Sequence, residues 1–198
     1  MTALSFVKPI AAAALLFGGL QALAPLPAAA PMSFAAGSKV TVLGTSNVRS
    51  FRCETTRVQG TIQTAGAAAP TLAEVGHAIR GAEVSLPVAS LDCANGTMNN
   101  HLRHAMKADE FPTISFTLPA SGLTAGDGNV RMAGTLKIAG AEKPANVVAT
   151  VVQAEGGLRV TGSYAMKMSD FGIRPPTVML GAFRVNDNVT VQFDVTVK

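Results

Sequence analysis

Residues 189–197 read Val-Thr-Val-Gln-Phe-Asp-Val-Thr-Val. Apolar side chains stand at every odd position and polar ones between them. Successive side chains of an extended chain point to opposite faces, so this alternation predicts a strand with one buried and one wet face. The same pattern recurs upstream. Val130, Met132, Gly134, Leu136 and Ile138 share one face of a second strand, and Leu158, Val160, Gly162, Tyr164, Met166 and Met168 one face of a third. Ala82, Val84, Leu86 and Val88 mark a fourth, and Ile114, Phe116 and Leu118 a fifth. Val147, Ala149 and Val151 predict a sixth, apolar on both faces. Residues 39–45 and 48–56 predict two more, with a continuation at 60–63.

Turn residues separate these runs at Gly126-Asp127-Gly128, at 140–144 and at Gly156-Gly157. Strands joined by short turns pair antiparallel. The prediction is therefore an all-β meander, and either a β-sandwich or an up-and-down barrel suits it. One stretch breaks the period. Between residues 95 and 108, Met98, Leu102, Ala105 and Met106 recur at three- and four-residue spacings, which predicts a single amphipathic helix ending before Pro112.

The composition bounds what such a chain does. Its 198 residues are 48% hydrophobic and 14% charged, with a mean hydropathy of +0.32, which suits one domain with a real core and excludes a disordered chain. A net charge of +4, without a basic cluster or aromatic-interleaved basic stripe, argues against nucleic acid as a partner.

Residues 1–35 differ from the rest. Lys8 is their one charge, and it precedes an apolar run from Ile10 to Ala24 that is too short for a comfortable membrane span and is broken by Gly18, Gly19, Pro25 and Pro27. This predicts a signal peptide, a periplasmic or secreted mature chain at 36–198 and no stable membrane span. Pro31 makes the triplet Ala28-Ala29-Ala30 a poor cleavage site, so Ser33-Phe34-Ala35 is preferred. No Cys lies near enough for a lipid anchor. In an oxidising compartment the pair Cys53 and Cys93 is expected to form a disulfide, since C-x-x-C spacing for a redox couple is missing.

The ordered series of motifs resembles the YceI family of secreted, polyisoprenoid-binding, lipocalin-like proteins. It begins with Gly44-Thr45-Ser46, Phe51-Arg52-Cys53, Leu91-Asp92-Cys93 and Met98-Asn99. Ala105-Met106-Lys107-Ala108 then runs into Phe111-Pro112-Thr113-Ile114-Ser115-Phe116. Next come residues 134–140, the Lys143-Pro144 turn and residues 168–173, Met-Ser-Asp-Phe-Gly-Ile. The resemblance implies a lipocalin-like antiparallel eight-stranded barrel with one amphipathic helix, and an apolar pore for an isoprenoid or similar amphiphilic lipid.

On that reading the pore is lined by Phe116, Met132, Leu136, Met166, Met168, Phe171, Ile173, Met179 and Phe183. The methionines among them are polarisable and adaptable. Arg174 and Arg184 flank the rim as weaker candidates for a phosphate headgroup.

Other motifs carry less. Asp170-Phe171-Gly172 lacks the remaining kinase elements, and no G-x-S-x-G elbow occurs. His101 and His104 lie three apart on the predicted helix but have no obvious third ligand, so neither metal nor cofactor is expected. Asn95-Gly96-Thr97 and Asn188-Val189-Thr190 are glycosylation sequons of a kind that arises often by chance. Three functions follow in order of preference. They are lipid carriage without chemistry, an envelope stress-response or structural role through a protein partner with a filled barrel, and an enzyme acting on a bound lipid. The sequence leaves open whether two copies pair as a homodimer.

Overall fold

The computed structural model describes residues 31–66, 69–126, 128–178 and 182–198. In chain order these form β1 (Met32–Ser33), β2 (Lys39–Ser46), β3 (Ser50–Thr55), β4 (Gln59–Thr64), α1 (Val75–Ala78) and β5 (Ile79–Pro87). Then follow α2 (Gly96–Ala105), β6 (Thr113–Leu118), β7 (Leu123–Gly126), β8 (Asn129–Ile138) and β9 (Ala141–Ala154). β10 (Gly157–Lys167), β11 (Thr177–Val178) and β12 (Phe183–Val197) complete the chain.

Register turns these pieces into a ring. β2 pairs with β3 while β1 pairs with β4, so β1 and β2 share one strand position and β3 and β4 the next. β6 and β7 share another, since both lie against β8. β4 pairs with β5, β5 with β6, β8 with β9, β9 with β10 and β10 with β12, all antiparallel. β12 returns to β2, with Asp194 opposite Lys39. Beyond that point the end of β12 runs along residues 33–35. The Ser33 N–H donates to Lys198 O at 2.8 Å, the Lys198 N–H to Ser33 O at 2.9 Å and the Ala35 N–H to Thr196 O at 2.7 Å. The result is a closed meander of eight strand positions, in which pairing leaves no free sheet edge along this seam.

Met32 to Ala35 therefore complete the barrel. Met32 is 4% exposed and sits in a cluster with Val75, Val130, Val151, Leu158 and Val197 that plugs one end. A boundary after Ala35 would remove β1 and this seam. Burying Met32 and part of Phe34 stabilises the fold by about 3 kcal/mol. A chain starting at Ala36 should thus melt roughly 10 °C below one starting at Pro31. Equal melting temperatures by circular dichroism would show that the seam adds nothing.

The predicted faces point inward on β5, β6, β8, β10 and β12. β9 is apolar on both faces, as expected. Ala145, Val147, Ala149 and Val151 are buried, but Val148 and Val152 are exposed, because no second layer covers the outside of the barrel. The helix is also shorter than predicted. Lys107 takes a left-handed conformation (φ 51°), and its N–H and that of Ala108 turn back to His104 and Arg103 carbonyls, closing α2 after Ala105. β1, β7 and α1 had no signal of their own in the sequence, being two to four residues long.

Candidate functional site

The barrel encloses a cavity of about 850 Å³, near the upper end for small-molecule sites. Its wall is built from inward positions of the strands, so it inherits their period-two apolar pattern. Phe116, Met132, Leu136, Met166, Met168, Ile173 and Phe183 of the predicted set all face it. Phe171 does not. It is 3% exposed and packs in the core with Leu91, Met106, Ile138 and Ile173. The turn 168–171 ends at Gly172 (φ 69°), and the Ser169 N–H and Oγ–H both donate to the Asp187 carboxylate, at 2.8 and 2.5 Å. That anchoring drives Phe171 into the core rather than to the rim. Met179 lies outside the described residues.

Three phenylalanines explain why the lumen is open despite its aromatic content. Phe51 lies against Gly44, its partner across the β2–β3 pair, and Phe193 against Gly162, its partner across β10–β12. Phe116 lies against Gly134 on β8. A Cβ on Gly134 or Gly162 would fall 2.5 Å from the facing ring's Cζ. Each glycine thus lets a ring lie along the wall instead of projecting across the pore. All three rings line the cavity. The family resemblance drew attention to Gly134 and the Gly44 motif, but the ring over each glycine is a cross-strand fact.

The cavity reaches solvent at one mouth. The β2–β3 turn, the start of β12 and the first turns of α2 surround it, contributing Val48 and Arg49, Phe183 and Arg184, and Thr97 and His101. Ser46 pairs with Val185, the Asn47 amide donates to Ala182 O at 2.8 Å and the Arg184 N–H donates to Asn47 Oδ1 at 2.9 Å. These bonds place Arg49 and Arg184 on adjoining parts of one lip. Arg174 is exposed and does not line the cavity, whereas Arg49, which sequence reasoning passed over, does. It carried no signal because nothing local links a turn arginine to a segment more than a hundred residues later.

α2 crosses the mouth with Met98, His101, Leu102 and Ala105 toward the lumen. Its start is fastened to the wall. Cys53 on β3 is joined to Cys93, and Glu54 and Asp92 exchange two backbone hydrogen bonds of 2.8 Å. The Asp92 carboxylate accepts from Asn99 Nδ2 and the Ala94 N–H, which together hold its pKa below the ordinary aspartate value. Asn95 caps the helix by accepting from the Met98 N–H at 2.9 Å. On β12 the hydrogen bonds from Ser169 lower the Asp187 pKa in the same way. His101 faces the lumen and His104 does not, so the pair does not converge. Among the described residues no group of three His, Cys, Asp or Glu side chains is placed to hold a metal, and no helix is long and apolar enough to cross a membrane.

A closed antiparallel barrel with an apolar lumen is a lipocalin-like architecture. Within that class the chain belongs to the YceI family, whose YceI-like domain model matches residues 30–197, the closing β1 segment included. Solved structures agree in fold. BcnA of Burkholderia cenocepacia superposes with a TM-score of 0.64 at 21% identity, covering 80% of this chain and 95% of that one. A polyisoprenoid-binding domain from Saccharophagus degradans, implicated in plant cell wall breakdown, gives 0.64 at 14% identity, covering 84% and 97%. The Campylobacter jejuni YceI protein gives 0.54 at 22%, covering 77% and 82%. No curated protein matches the chain significantly.

Proposed function

We propose that this is an exported binding protein that holds the apolar tail of an isoprenoid or similar amphiphile in the barrel lumen and releases it unchanged. The observation that carries this reading is the cavity itself, about 850 Å³ and walled by aliphatic, methionine and phenylalanine side chains. At the ~30 Å³ that a water-sized group occupies in a liquid, it has room for about 28 non-hydrogen atoms. That suits a tail of some four or five isoprene units. Burial at about 25 cal/mol per Å² of apolar surface outweighs the cost of association once most of such a tail is enclosed. The likeness in fold to a polyisoprenoid-binding domain supports the same ligand class.

A cavity of this size also weighs against a filled barrel acting only through a protein partner. Acid–base conversion of a bound lipid needs a positioned donor and acceptor. The titratable side chains among the described lining residues are Arg49, His101, Tyr164 and Arg184, without a carboxylate. The apolar run before Pro25 and the disulfide support export, with processing that leaves Met32 to Ala35 in the folded protein.

The test is to purify the protein from its exported compartment, extract it with organic solvent and identify the lipid by mass spectrometry. An isoprenoid at close to one per chain is expected. Leu136→Trp, which places an indole in mid-lumen opposite Phe116, should abolish its retention while the β circular-dichroism spectrum is kept. An empty wild-type protein that also takes up no added amphiphile would overturn the reading.

A further inference from the structure

We infer that the amphiphile carries an oxygen that accepts a hydrogen bond inside the lumen, a carbonyl or hydroxyl oxygen, and that Tyr164 is its donor. This rests on the reading that the lumen holds an apolar tail. Tyr164 is the one tyrosine of the chain and stands on the inner face of β10, in phase with Leu158, Val160, Gly162 and Met166. It pairs with Val191, which pairs with Val42, which in turn faces Cys53, and all four line the cavity. β10 ends at Lys167, opposite Asn188 near the start of β12. At ~3.3 Å per residue, Tyr164 stands about 10 Å in from the mouth end of its strand.

A tyrosine hydroxyl enclosed by protein normally has a hydrogen-bond partner. Tyr164 is half-buried, yet no group among the described residues bonds to its hydroxyl. The oxygen is not sealed off either, because no buried side-chain nitrogen or oxygen among the described residues lacks a partner. It is a free donor that opens on the lumen. The other polar side chains among the described lining residues belong to the β2–β3 turn, the start of β12 and α2 with its cap, all at the mouth, or to Ser115, which lies out of phase with the inward Ile114 and Phe116 on β6. A pure hydrocarbon that filled the lumen would strip water from this hydroxyl and leave it unpaired, which costs more than a made hydrogen bond gains. An oxygen drawn into the same apolar space would also lose its water and need a partner. The two requirements are met together when the ligand's oxygen accepts from Tyr164. The lumen therefore prefers an oxygenated amphiphile whose polar group lies below the rim.

The experiment compares ligands with one branched isoprenoid skeleton and different ends. Lipid-free protein and its Tyr164→Phe variant, which keeps the ring and removes only the hydroxyl, are each incubated with a mixture of phytane, phytanol and phytanal. The retained lipids are extracted and quantified by mass spectrometry. The retained ratios of phytanal to phytane and of phytanol to phytane should each fall about fivefold from wild type to variant, the worth of one neutral hydrogen bond. Comparing ratios between the two proteins cancels the different ease with which these lipids leave water. Unchanged ratios would overturn the inference while tail carriage stands. A fall for phytanol alone would make Tyr164 the acceptor and overturn its assignment as donor. Loss of phytane together with the oxygenated lipids from the variant would make the hydroxyl a structural group and overturn the inference on that ground. Failure of the wild type to retain any of the three would remove tail carriage and this inference together.

Discussion

Replacing Cys53 and Cys93 together by alanine is expected to lower the free energy of unfolding by about 4 kcal/mol. The disulfide spans 40 residues, and closing a loop of that length restricts the unfolded chain by about that amount on the chain-entropy account. Two features of the native structure set the consequence. The bond ties β3 to the segment that leads into α2, and Cys53 is fully buried, so mild reductant should attack it only as the barrel opens. Urea denaturation of the variant should shift the midpoint downward and steepen the slope, because the unfolded chain without the cross-link is less compact. The backbone pairing of Glu54 with Asp92 remains, so α2 should keep its place in the native state. A loss under about 1 kcal/mol would mean that the unfolded chain is already held compact in this region, a known way for disulfides to fall short of the chain-entropy figure.

Gly44→Ala is expected to impair ligand uptake without unfolding the protein. The added Cβ would meet Phe51 ring atoms and no backbone atom among its three nearest neighbours, so the ring must leave the wall and swing into the lumen. Gly134 and Gly162 differ, because a Cβ there also meets backbone oxygens, those of Thr117 and Val148, which cannot step aside. A ring displaced into the pore would exclude about three methylenes of a bound tail. At about 0.8 kcal/mol each, the affinity for geranylgeraniol should weaken on the order of fiftyfold. Gly44→Ala/Phe51→Leu should recover most of it, since the smaller side chain need not cross the lumen. Unchanged affinity in the single variant would show that the ring has another place to go. Failure of the double variant to recover would locate the damage in the strand rather than in the pore.

The alternation in β8, β10 and β12 was legible because side-chain direction in a strand follows from two-residue geometry alone. On β9 both faces are apolar, yet Val148 and Val152 on the outer one are exposed. Alternation tells which residues share a face, but not whether anything covers it. The lining set shows the same division. Met132, Leu136 and Met166 lie on regular strands and face the cavity as their period requires. Phe171 lies in a turn, where Gly172 and the Ser169–Asp187 hydrogen bonds set its direction, and it went to the core instead.

The sequence by itself determined the long strands, the residues that share their inner faces, an amphipathic helix, the cysteine pair and the family. Each of these follows from local geometry, residue chemistry or an ordered set of motifs. Tertiary structure alone decided that the meander closes, because the closing hydrogen bonds join residues 33–35 to 196–198, at opposite ends of the chain. It also decided that the lumen stays open and where its charge lies. Whether a phenylalanine fills a pore depends on the residue facing it from the neighbouring strand, as Gly44 faces Phe51. Whether a turn arginine lines a cavity depends on which segment the register lays beside it, as β12 lies beside the turn of Arg49. Neither neighbour is written next to it in the chain.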